Sequence, residues 1–255
     1  MQRFTALAAT LAAGALVPAH AALFGVAGFS SFGIQSLYAI DAATGAATLV
    51  GSTGLRQISG LEWDSANNRL VALNALGDQY VINTGTGAST LLASGSYGVP
   101  EGSIAFSGGS TYTTLFDNLN TWNGTGWTEI GNSGLAAGAD ISGLASGGGR
   151  MLGLALNGSG SDQIVSFNTT TGAATVIGAT GTNATSVAGF TYAFIGGEWF
   201  MTNGASLFSV NADTGAASLI GSHGVSGFSG LAFVPAPGAA ALLGLGVLIA
   251  VRRRN

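Results

Sequence analysis

The 255-residue chain contains 43 glycines, no cysteine, no lysine and only 7 % charged residues, with a formal net charge of −4. The lack of cysteine excludes a disulfide framework and any thiolate-held metal. The acidic balance gives no electrostatic basis for binding nucleic acid or anionic lipid. A hydrophobic content of 47 %, laid out in short runs between turn residues, indicates strands rather than disorder.

Residues 1–21 read as a secretory signal peptide. Arg3 gives the positive start and Leu7 to Val17 the short apolar stretch. Ala19-His20-Ala21 is a small-residue site of the A-x-A kind, cleaved before Ala22.

The middle of the chain, residues 22–233, repeats itself. Four stretches share one pattern, an apolar strand ending in Asp or Asn with a glycine four positions later: Asp41 and Gly45, Asn83 and Gly87, Asn168 and Gly172, Asn211 and Gly215. The Asx side chain folds onto backbone N–H groups two residues on and the glycine takes a positive φ, so each pair predicts a hairpin turn. A fifth, degenerate unit runs from Phe116 to Asn120, with Gly124 at the matching offset.

A second strand follows each turn, as in Ala47 to Gly51 and Ala174 to Gly178. A third begins near Gly60, Ser103, Gly143, Gly189 and Gly230, marks spaced 43, 40, 46 and 41 residues apart. Most units add a fourth strand. The last unit lacks one, and Leu23 to Val26 has the character of the missing piece. A period near 43 residues with four strands per unit is that of a propeller blade. The expected fold is all-β: a five-bladed β-propeller whose N-terminal strand pairs with the last three and closes the ring. An open solenoid and a β-sandwich are the alternatives. Trp63, Phe106, Tyr192 and Phe233 occupy matched third-strand positions and read as packing between blades.

Chemistry-bearing residues are sparse. His20 leaves with the signal peptide, and His223 aligns with threonines of other units, Thr53 and Thr180, which marks a turn position. One histidine and no cysteine make zinc hydrolysis and Ser-His-Asp acyl transfer poor readings. All eleven acidic residues lie in residues 22–233 against three arginines, Arg56, Arg69 and Arg150, a formal charge of −8. These acids form no calcium-loop motif, so neither a metal nor a cofactor is expected.

The C-terminus carries Val234-Pro235-Ala236-Pro237-Gly238, an apolar run over 239–251, and Arg252-Arg253-Arg254 before Asn255. Thirteen apolar residues rise only about 20 Å as a helix against a hydrocarbon core of about 30 Å. Flanking arginines snorkel, so the run reads as a transmembrane helix with its basic end in the cytoplasm. This order of elements resembles the PEP-CTERM sorting signal of Gram-negative bacteria, departing from its commonest form in having Ala236 where the motif has glutamate. The resemblance implies recognition by an exosortase, removal of the tail, and delivery to the cell surface or extracellular matrix. The expected protein is exported and non-enzymatic, tethered to the inner membrane before processing, and offers propeller loops to exopolysaccharide or matrix proteins. The alternatives are a secreted propeller enzyme acting on carbohydrate and a permanently anchored envelope protein.

Overall fold

The computed structural model describes residues 22–27, 33–95, 103–136, 139–158, 160–184, 188–194, 196–225 and 227–236. The expected signal peptide, the part of the expected sorting signal from Pro237 onward and the helix expected over 239–251 lie outside these residues. Among the described residues no helix is long and apolar enough to cross a membrane.

Twenty strands form five four-stranded antiparallel sheets. Blade 1 combines β20 (Phe228–Val234) with β1 (Ala22–Ala27), β2 (Ser36–Ile40) and β3 (Ala47–Ser52). Blade 2 holds β4 (Ile58–Asp64), β5 (Arg69–Asn74), β6 (Gln79–Ile82) and β7 (Ser89–Ala93). Blade 3 holds β8 (Ile104–Ser107), β9 (Ser110–Leu115), β10 (Asn118–Trp122) and β11 (Trp127–Asn132). Blade 4 holds β12 (Ala139–Gly147), β13 (Arg150–Asn157), β14 (Gln163–Phe167) and β15 (Ala174–Ala179). Blade 5 holds β16 (Phe190–Ala193), β17 (Glu198–Asn203), β18 (Ser206–Val210) and β19 (Ala217–Ser222). The first strand of each blade packs against the first strands of its neighbours, so β20, β4, β8, β12 and β16 encircle the axis. The fold is a five-bladed β-propeller.

The ring closes differently from the sequence expectation. The N-terminal strand does pair with the end of the chain, with Leu23 opposite Phe233 and Ala22 opposite Val234. However, its partners are β20 and β2, and the last three strands do not share a sheet. β18 and β19 complete blade 5, while β20 crosses alone into blade 1. The repeat read from sequence has the right period and the wrong starting point, because self-similarity carries no mark of which strand is innermost. One strand from the C-terminus among three from the N-terminus ties the chain ends together by backbone pairing.

Crowding at the axis explains the recurring glycine of the inner strand. A Cβ on Gly60 would stand 2.7 Å from the Ile104 backbone nitrogen, and one on Gly230 2.7 Å from that of Leu61. At Gly60, Gly189 and Gly230 the inner strand thus touches the backbone of the next, closer than a side chain permits. The same contacts assign faces: residues in register with Gly60 along β4, namely Glu62 and Asp64, point to blade 3. At the rim, Asp41 Oδ1 accepts from the N–H groups of Ala43 (2.8 Å) and Thr44 (3.2 Å). Asn83, Asn168 and Asn211 repeat that pattern. Each turn glycine then meets the preceding blade: Gly45 against Gly221, Gly87 against Gly51, Gly172 against Gly131 and Gly215 against Gly178.

Blade 3 corrects the reading of the degenerate unit. Its turn residue is Asn123, not Asn120, with Oδ1 accepting from Thr125 N–H (3.0 Å) and Gly126 N–H (2.9 Å). Asn120 is buried within β10. The turn is tighter than in the other blades, so the pattern is displaced by three residues.

Candidate functional site

Superposing the five units in register shows where blade 2 breaks the pattern of the others. Glu62 occupies the position held by Ala105, Ala145, Thr191 and Ala232. Gln79 occupies the position of the fully buried Leu37, Leu119, Ile164 and Leu207. Ala93 replaces the outer-strand glycine that receives the next blade's turn, since it faces Gln79 as Gly51 faces Leu37. All three exceptions fall at the joint between blades 2 and 3.

Blade 3 answers with aromatic residues. Trp127 stands where the other blades have Ala47, Ser89, Ala174 and Ala217, and its Nε1–H donates to the Gly77 carbonyl of blade 2 at 2.9 Å. Trp122 lies edge-on to it, ring centroids 5.2 Å apart. Trp127 joins Val71, Leu73 and Ile104 in a buried cluster at the joint. Beside it lies a groove of about 340 Å³. Half-buried Phe106 and Trp122 form its aromatic wall, and the opposite wall includes Asp64, Asn67, Arg69 and Gln79.

The polar wall is internally matched except at one point. Asp64 Oδ2 accepts from Arg69 Nε–H (2.8 Å) and from Asn67 Nδ2–H (2.7 Å). Gln79 is 4 % exposed, yet its Nε2 has no hydrogen-bond partner among the described residues. Glu62 accepts from its neighbour Trp63 N–H through Oε1 (2.9 Å), while its buried Oε2 has no partner among the described residues. Burial holds this carboxyl well above the usual range, opposed only by that one N–H. Glu62 does not line the groove, so a molecule held there does not touch it.

A second groove, of about 640 Å³, lies between blades 4 and 5 and includes Tyr192, Trp199, Arg150 and Asp213. Here the aromatic surface is spent on itself. Trp199 stacks on Phe190 (5.4 Å, 18°) and lies 4.7 Å from Tyr192, and it is 5 % exposed. Arg150 reaches across the joint to Asp213 at 2.9 Å. The four matched aromatic residues therefore divide: Trp63 and Phe233 are buried packing, whereas Phe106 and Tyr192 each border a groove.

Other candidate residues are structural. His223 N–H donates to the Ala205 carbonyl (2.9 Å), as Thr53 N–H does to Gln35 and Thr180 N–H to Asp162. Burial pushes its imidazole below the ordinary 6.5, and its ring lies edge-on to Phe228 at 4.6 Å. Asp162 receives Ala184 N–H (2.6 Å) and Asn157 N–H (3.3 Å), tying two loops. Among the described residues no three His, Asp or Glu side chains gather to hold a metal. Of the residues expected to form a sorting signal, Val234 ends β20 and Pro235 and Ala236 follow it, and Pro237, Gly238 and Arg252 to Arg254 lie outside the described residues.

No family model matches the chain, and no curated protein matches it. Among solved structures, the chain is similar to one in the crystal structure of a nidogen/laminin complex. The TM-score is 0.55 at 12 % identity, covering 84 % of this chain and 98 % of that one. A structural genomics protein of unknown function from Bacteroides thetaiotaomicron aligns with a TM-score of 0.45 at 15 % identity, over 73 % of this chain and 56 % of that one. The first of these likenesses concerns the fold, a β-propeller.

Proposed function

We propose that this is an exported, non-enzymatic protein of the cell surface or extracellular matrix whose propeller binds polysaccharide. In this reading the signal peptide directs export, the apolar run 239–251 holds the chain in the inner membrane, and an exosortase-type enzyme cuts near Val234 to Gly238. The observation that carries the binding role is the groove between blades 2 and 3, where half-buried Phe106 and Trp122 face Asp64, Asn67 and Arg69. A pyranose ring has an apolar C–H face for an aromatic wall and a rim of hydroxyls for planar polar side chains, and ligand sites commonly combine such surfaces.

Processing at both ends is compatible with the architecture. β1 begins at Ala22 and β20 ends at Val234, and those two residues pair, so neither cut removes a strand residue. The polysaccharide reading is tested by isolating the mature protein from its native cells, measuring its intact mass, and co-sedimenting it with the extracellular polysaccharide of the same cells. A mass beginning at Ala22 and ending between Val234 and Gly238, with the protein in the polysaccharide pellet, supports the proposal. A mass retaining 239–255 makes the protein a permanent envelope anchor. Failure to co-sediment refutes polysaccharide binding.

A protein partner is the second reading. What favours it is that the similar solved propeller belongs to a nidogen/laminin complex.

A further inference from the structure

We infer that the groove between blades 2 and 3 is the sugar-recognition site of the propeller and that it takes a neutral pyranose unit. This inference rests on the polysaccharide reading above and narrows it to one joint and one chemical class.

Three independent features single out that joint. The first is the broken repeat. Turn glycines dock on the preceding blade at the joints entering blades 1, 2, 4 and 5, whereas Ala93 lines the groove where the contact entering blade 3 would fall. Repeat units contact only their neighbours, so one joint can be remodelled while the others keep the ring closed.

The second is unspent hydrogen bonding. Gln79 lies in the groove wall with its Nε2 unpartnered among the described residues, at a position that four other blades fill with Leu or Ile. A buried amide donor without a partner is costly. It becomes useful when a sugar hydroxyl, directly or through one water, supplies the acceptor. The third is free aromatic surface. Phe106 and Trp122 both retain exposed area on the groove, whereas in the larger groove only Tyr192 among the lining aromatic residues does, since Trp199 is covered by Phe190 and Tyr192.

Charge decides the class of sugar. The propeller carries a formal −8, and the one arginine of the groove is already paired with Asp64. A uronate or phosphate-bearing unit would meet no spare cation and a repulsive field, so a neutral hexose is the fitting ligand.

The test uses the propeller of the mature protein against soluble dextran, galactomannan and mixed-linkage β-glucan, with polygalacturonate as the acidic comparator, by affinity electrophoresis. The expected result is retardation by at least one neutral polymer. Trp122→Ala should weaken it about tenfold or more, Trp122→Phe should largely restore it, and Arg150→Ala in the other groove should match wild type. Because Trp122→Ala removes a contact with Trp127, Phe106→Ser serves as a second variant, and melts confirm that both are folded. Retardation that survives in both folded groove variants but is lost in Arg150→Ala overturns the assignment and leaves the polysaccharide reading intact. Binding to polygalacturonate alone overturns the neutral class. No retardation of wild type by any polymer defeats both readings.

Discussion

Replacing Gly172 by alanine isolates the contact that holds one blade to the next. Gly172 has φ +78°, and a Cβ there would lie 2.4 Å from the Gly131 carbonyl oxygen of the preceding blade. Gly181 has nearly the same backbone, φ +79°, but nothing within 4 Å of its Cβ. Both alanine variants incur the left-handed strain of about 1–2 kcal/mol. Only Gly172→Ala also forces backbone apart at a packed joint, an overpacking cost of about 1–3 kcal/mol. For a domain of this size each kcal/mol moves the melting temperature by about 2–4 °C, so Gly172→Ala should melt about 2–12 °C below Gly181→Ala. Ala173→Ser, at an exposed neighbour, should match wild type. Calorimetric or circular-dichroism melts decide the matter. Equal losses at Gly172 and Gly181 would mean the joint yields without cost and that the glycines serve the turns alone.

Glu62 predicts a distinct pH dependence. Burial raises its carboxyl above the unfolded value of 4.5; its contribution to stability is therefore full below that value and declines as pH rises toward the folded one. Wild type should lose melting temperature relative to Glu62→Gln as pH increases above 4.5. His223 acts with the opposite sign below 6.5 and cancels in that comparison; parallel profiles would show that the Glu62 carboxyl titrates alike in the folded and unfolded chain. Gln79→Leu restores the residue type of the other blades and removes the unpartnered donor, so melts should show a gain of up to about 1–3 kcal/mol; a loss would show that the amide is bonded in the free protein. Asp213→Ala should leave the melting temperature within about 2 °C, because its pair with Arg150 is exposed and solvent-screened; a larger fall would make that bridge a structural tie between blades 4 and 5.

The blade count was legible because its signals are steric necessities. Gly60, Gly143, Gly189 and Gly230 recur at four of the five places where one inner strand meets the next, and a side chain there would overlap the neighbouring strand. Blade phase was not legible, since a cyclic repeat reads equally well from any strand and β20 looks like its equivalents until its partner is known. The turn of blade 3 was misplaced by three residues because Asn120 and Asn123 are both followed by residues that suit a turn. The groove was hidden for another reason: Gln79 and Trp122 are 43 residues apart and meet only when two blades are side by side. A signal was nevertheless present. Gln79 opens its unit where the others open with Leu37, Ile164 and Leu207, and two of the four tryptophans fall in the unit that departs most from the pattern.

That departure is informative because a closed ring constrains every joint at once. Four joints use the same small-residue contact, in which glycine meets glycine across blades. Enlarging Gly51's counterpart to Ala93 separates the outer strands at the fifth, and the gap must then be filled or left open. Trp127 packs into the joint and anchors on the Gly77 carbonyl, which keeps blades 2 and 3 together without the glycine contact. Trp122 and Phe106 border what stays open. Gln79 brings a polar group to a position where the other blades carry Leu or Ile, and its buried Nε2 has no partner among the described residues. Stability alone would favour leucine there, so the amide in the groove wall argues that this joint is shaped for what it holds.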